Sequence, residues 1–86
     1  MGDYRLTVLC GGRSLMLVPR SFMETDSSER VRELGADVLR SSSEMAEFMY
    51  EGVKVTLYSN GGLMFYHLND PDLAERYADT ILYDRV

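Results

Sequence analysis

Residues 53–68 read "VKVTLYSNGGLMFYHL". Two apolar runs meet at Ser59-Asn60-Gly61-Gly62, and an Asn-Gly step between alternating runs is a strong hairpin signal. A two-residue turn at Asn60-Gly61 needs positive φ at both centres, which Asn and Gly tolerate. Side chains alternate across a strand, so the turn's length decides which residues share a face. With a two-residue turn, Val53, Val55, Leu57, Met64, Tyr66 and Leu68 share one face, and Lys54, Thr56, Tyr58, Leu63, Phe65 and His67 the other. A three-residue loop changes that division.

Residues 4–18, "YRLTVLCGGRSLMLV", repeat the design. Shifted by 49 positions they lie on residues 53–67 without a gap. Arg5-Leu6-Thr7 falls on Lys54-Val55-Thr56, and Gly12 falls on Gly61. Helical patterns follow both hairpins: "VRELGADVL" at 31–39 and "LAERYADTI" at 73–81 share Glu-x-x-Ala-Asp. An internal ββα repeat is the reading, spanning 4–40 and 53–83 within a single domain, 1–86. Amphipathic patterning that converges by chance is the plainer alternative.

Asp26 with Glu29 has capping-box spacing, and Val31, Leu34 and Val38 recur at helical intervals. Ser41-Ser42-Ser43 breaks the pattern. Met45, Phe48 and Met49 then form a second helical face over 43–51, ended by Gly52. One long helix through the serines is the alternative, since 31, 38, 45 and 49 keep phase. Asp70-Pro71 opens the last helix as a cap followed by proline at the first helical position. The expected fold class is α+β: a four-stranded antiparallel sheet with helices packed on one face.

Composition bounds the function. The chain has 86 residues, so the core is modest and pairing with another chain adds to it. One cysteine excludes an internal disulfide framework and fits a reducing compartment. No apolar run approaches a membrane span. "MGDYRL" has no basic region leading into an apolar one, and Leu6 stands where a myristoylation motif wants Ser or Thr. The expected location is the cytoplasm. A net charge of −5 argues against broad nucleic-acid binding, which needs positive potential.

The acidic residues concentrate outside the hairpins. Glu29, Glu33 and Asp37 form one stripe, Glu44, Glu47 and Glu51 a second, Asp72, Glu75 and Asp79 a third. These are read as solvated helix faces. No His or Cys is interleaved, so no metal site is expected. His67 sits beside Lys54 with no partner for general-base work, and Cys10 has no base nearby in sequence. There is no phosphate-cradling, Cys-x-x-Cys or nucleophile-elbow motif. The expectation is a non-catalytic protein with no cofactor.

One hairpin face is free of carboxylates. Arg5, Leu9, Met16, Val18, Lys54, Tyr58, Leu63, Phe65 and His67 are its candidate interface residues. An apolar face left open on a small domain marks an interface. The expected partner is a second copy or another protein, with no membrane. The alternative is a nucleic-acid-binding sheet using Arg5 and Lys54 on phosphates and Tyr58 and Phe65 on bases. The stretch "YSNGGLMF" at 58–65, followed by a helix, is similar to the strand-turn-strand-helix unit of the TATA-box-binding proteins. That resemblance covers one common motif and assigns no family. It implies an open sheet face with Phe65 as a wedge between base steps. An RNA-stacking sheet lacks its signature motif here.

Overall fold

The computed structural model describes residues 4–9, 14–20, 26–42 and 44–83. The elements are β1 (Tyr4–Leu9), β2 (Ser14–Pro19), α1 (Ser27–Leu34), β3 (Asp37–Ser41), β4 (Met45–Tyr50), β5 (Val53–Tyr58), β6 (Leu63–Tyr66) and α2 (Pro71–Tyr83). All strand pairs are antiparallel, in the order β1-β2-β6-β5-β4-β3. The architecture is α+β, with six strands in one sheet and both helices on one side of it. The expected four-stranded sheet and internal ββα repeat are therefore overturned.

The repeat fails at Gly35. α1 starts as the sequence leads one to expect. The Asp26 carboxylate accepts from the Glu29 amide at 3.2 Å and from the Ser28 hydroxyl at 2.9 Å. Those bonds, the Glu29 amide first, hold its pKa below the ordinary value. The helix stops at Leu34 because Gly35 turns left-handed, φ 70°, and its amide donates to the Arg32 carbonyl at 3.1 Å. Asp37–Ser41 is then a strand rather than the continuation to residue 39. In α2 the matching Ala-Asp lies inside the helix, so the shared Glu-x-x-Ala-Asp carries two different structures.

The helix expected at 43–51 is β4. Ala46 and Phe48 are buried while Met45, Glu47 and Met49 are half-buried, a period of two. A short apolar run fits helix and strand templates alike. The deciding signal is Glu51-Gly52, with φ 51° and 77°. Positive φ at two successive residues is the hairpin turn that matches strand twist. Ser41 ends β3 instead of breaking a helix. The Ser42 hydroxyl accepts from the amides of Glu44 and Met45, both at 3.3 Å.

The β5–β6 hairpin is the one the sequence marks, with one residue more in its loop. Tyr58 N–H donates to the Gly62 carbonyl at 2.8 Å, and Gly61 N–H donates to the Tyr58 carbonyl at 3.0 Å. Ser59, Asn60 and Gly61 form a three-residue loop with Gly61 left-handed, φ 86°. The Asn60 side chain accepts from the Gly62 amide at 2.8 Å. The added residue reverses the parity of β6. Leu63 pairs with Leu57 and Phe65 with Val55, so both join the face that carries Val55 and Leu57.

That face is the core side. Leu15, Leu17, Phe48, Val55, Leu57, Leu63 and Phe65 are buried beneath Val31 of α1 and Ala74, Ala78 and Ile81 of α2. Burying each large apolar side chain contributes about 1.5–3 kcal/mol. Tyr77 of α2 meets Tyr50 edge-on, ring centroids 5.1 Å apart, and leans on Phe65 at 6.4 Å. α2 opens as expected: the Asp70 carboxylate accepts from the Leu73 amide at 3.2 Å, with Pro71 at the first helical position. Arg30 of α1 donates to the carbonyls of Thr80 and Ile81 near the end of α2, which ties the helices together. At the sheet's far side, Tyr4 Oη donates to Asp79 Oδ1 at 2.7 Å.

Candidate functional site

The opposite face of the sheet is covered by neither helix. Strand register builds it row by row. Thr7, Met16, Met64, Thr56, Glu47 and Arg40 run side by side across all six strands. On one flank of this row lie Leu9, Ser14, Tyr66, Lys54, Met49 and Asp37; on the other lie Arg5, Val18, Tyr58 and Met45.

The centre is tightly knit. Thr56 is fully buried although no helix covers it, and its hydroxyl donates to the Tyr66 hydroxyl at 3.3 Å. Lys54 Nζ stands 5.0 Å above the Tyr66 ring and 3.7 Å from Glu47 Oε2. The lysine side chain is 44% exposed and the glutamate 17%, so the pair is partly solvated and contributes on the order of 1 kcal/mol or less. Its main effect is to cancel charge at the middle of the face. Burial, with Tyr66 and Glu47 nearby, raises the pKa of the Tyr58 phenol. Four half-buried methionines, 16, 45, 49 and 64, surround this centre. Thioether side chains of this kind adapt to irregular partners.

Of the residues picked from sequence, Arg5, Leu9, Met16, Val18, Lys54 and Tyr58 lie together on this face. Leu63 and Phe65 do not: the three-residue loop sends them into the core, fully buried. His67 leaves the strand after Tyr66 with φ 57° and is exposed in a turn. Met64 and Tyr66 take the places that Leu63 and Phe65 were expected to fill. Met45, Glu47 and Met49 were missed because β4 reads as a helix; Arg40 was missed for the same reason in β3.

Among the described residues, no three His, Cys, Asp or Glu side chains converge to hold a metal ion. Cys10 lies outside the described residues. Among those described, no helix is long and apolar enough to cross a membrane. No family model matches the chain, and no curated protein or solved structure matches it.

Proposed function

We propose that this chain is a self-associating interaction module whose sheet face opposite the two helices packs against the same face of a second copy. The observation that carries the reading is the one-sided layering. Both helices sit on the core side, which leaves a six-stranded face of four methionines, two tyrosines and smaller side chains. β3 and β4 add Asp37 and Glu47 to a face expected to be free of carboxylates, and the central Lys54 and Glu47 are paired. Six strands about 4.8 Å apart, four to six residues long at about 3.3 Å per residue, give roughly 500 Å² of projected surface. Two such faces bring together roughly 1,000 Å² of projected surface, and corrugation by side chains carries that toward the lower range of specific interfaces, about 1,200 Å² in total.

Charge placement favours a second copy. The net charge is −5, and Glu29, Glu33, Asp72 and Glu75 lie on the two helices, away from this face. Face-to-face pairing keeps both acidic helix layers outward in solvent, whereas approach through the helices brings like charges together. A homodimer of this kind has two-fold symmetry.

Sedimentation of the intact chain tests the proposal. The expected result is a dimer at micromolar concentration, weakened at least tenfold by Met64→Glu and unchanged by Glu75→Lys. A monomer, or equal behaviour of the two variants, overturns it. A monomer that binds oligonucleotides, with binding lost in both Lys54→Glu and Tyr66→Ala, transfers the face to nucleic acid. Phe65 has no part in that outcome, because it is buried.

A further inference from the structure

The two edges of the sheet are built differently. β3 carries a bulge: Val38 faces Phe48 and Arg40 faces Glu47, so Leu39 is an extra residue. Bulges and charged residues such as Asp37 and Arg40 blunt an edge against further pairing. β1 is regular throughout, from Tyr4 opposite Pro19 to Leu9 opposite Ser14. Leu6 and Val8 lie on its core side beyond the reach of α2, 43% and 56% exposed.

The direction of the free backbone groups of β1 follows from the hairpin at the middle of the sheet. Tyr58 N–H bonds to the Gly62 carbonyl, so Tyr58 and Gly62 are a hydrogen-bonded pair. Such pairs alternate along an antiparallel ladder. Thr56–Met64 is then hydrogen-bonded, and the backbone groups of Leu63 and Phe65 turn toward Leu17 and Leu15 of β2. Those of Ser14, Met16 and Val18 turn toward Leu9, Thr7 and Arg5 of β1. Tyr4, Leu6 and Val8 are left with N–H and C=O aimed away from the sheet. Among the described residues, no strand pairs with that edge. At Leu6 and Val8, backbone groups that no described strand pairs and exposed apolar side chains coincide.

We propose that β1 is a strand-addition edge and that its occupant is β1 of a second copy, antiparallel about a dyad at Thr7. This surface is separate from the open face. The register is self-complementary. Leu6 pairs with the Val8 position of the other copy and Val8 with its Leu6 position, so the outward groups of both satisfy each other. Two leucines and two valines then cover one another on the core side. Arg5 falls opposite Leu9, which avoids a like-charge pair. The bulged β3 at the other edge stops the addition at two chains. The edge dyad stands normal to the sheet, whereas a face-to-face dyad lies parallel to it.

Cross-linking tests the register. On the dyad, two Thr7 residues form a non-hydrogen-bonded pair with Cα atoms about 4.5 Å apart. That separation lies within disulfide range, about 4.4–6.8 Å, whereas stacked sheets lie about 10 Å apart. The full chain carrying Cys10→Ser and Thr7→Cys should form a disulfide-linked dimer on mild oxidation. The exposed control Asp72→Cys should not. Adding Val8→Lys should reduce the linked fraction at least fivefold, and adding Met64→Glu should leave it unchanged. Linkage no greater than that of Asp72→Cys overturns the proposal, as does linkage that depends on Met64 and not on Val8.

Discussion

The amide of Tyr58 donates to the carbonyl of Gly62 at 2.8 Å, and that one bond sets which face every side chain of β6 occupies. Three loop residues lie between its partners, so Leu63 and Phe65 point under the helices and Met64 and Tyr66 toward the open side. Deleting Ser59 leaves a two-residue loop and returns the opposite parity. Its expected effect is loss of cooperative unfolding, because two buried side chains are forced outward. Ser59→Gly should unfold cooperatively near the parent midpoint. A urea titration followed by circular dichroism compares them, and a folded deletion variant would contradict the account.

The same parity sets the cost of neighbouring truncations. Phe65→Ala should destabilise by about 3–5 kcal/mol, since it opens a cavity beneath Tyr77. Met64→Ala removes a half-buried side chain from the open face and should cost about 1 kcal/mol or less in the monomer. Equal costs, measured from denaturant midpoints at low protein concentration, would mean that the faces are misassigned.

Much of this fold is legible in local signals, and the failures share a cause. Asp26 and Asp70-Pro71 mark helix starts by side-chain and backbone chemistry that needs no distant partner. Asn60-Gly61 marks a turn for the same reason. Gly35 and Glu51-Gly52 are equally local, yet the helical phase of Val31, Val38, Met45 and Met49 masks them. That phase is accidental: residues 45–50 alternate across a strand, and only pairing with Val53–Tyr58 selects the period of two. The loop at 59–61 is ambiguous for a related reason. Asn-Gly serves two- and three-residue loops, and burial of Phe65 against α2 favours the longer one. Six candidate face residues survive this ambiguity because they lie on strands whose alternation is not tied to it.

Arg30 should couple the two helices. Its guanidinium donates to the Thr80 carbonyl at 3.1 Å and to the Ile81 carbonyl, and its side chain is 12% exposed. A cation near a helix C-terminus also complements the helix dipole. Arg30→Ala should cost about 1.5–3 kcal/mol, the range for hydrogen bonds to a charged group. Arg30→Lys should recover only part of this, because one ammonium does not reproduce the planar fork. Glu33→Gln, which removes the exposed ion pair at 3.3 Å, should lie within about 0.5 kcal/mol of the parent. Hydrogen exchange at the last turn of α2 should rise in Arg30→Ala alone; protection equal to the parent's would separate Arg30 from α2.

Tyr4 should make stability fall at alkaline pH. Burial first, then the hydrogen bond to Asp79 and the charge of that carboxylate, raise the phenol's pKa well above its ordinary value of 10.0. The neutral phenol is the form the fold holds, so the folded pKa exceeds the unfolded one. Its contribution is complete below about pH 10 and shrinks as the unfolded chain begins to ionise above it. Replacing Tyr4 with Phe removes the titrating group along with its bond to Asp79. This variant should be less stable at neutral pH by about 1 kcal/mol, the usual net worth of one hydrogen bond. Its stability should also decline less steeply between pH 10 and pH 11.5, a window above the ordinary tyrosine pKa. Denaturant titrations at four or five pH values give the two slopes. Parallel slopes for parent and variant would show that Tyr4 ionises as freely in the folded chain as in the unfolded one.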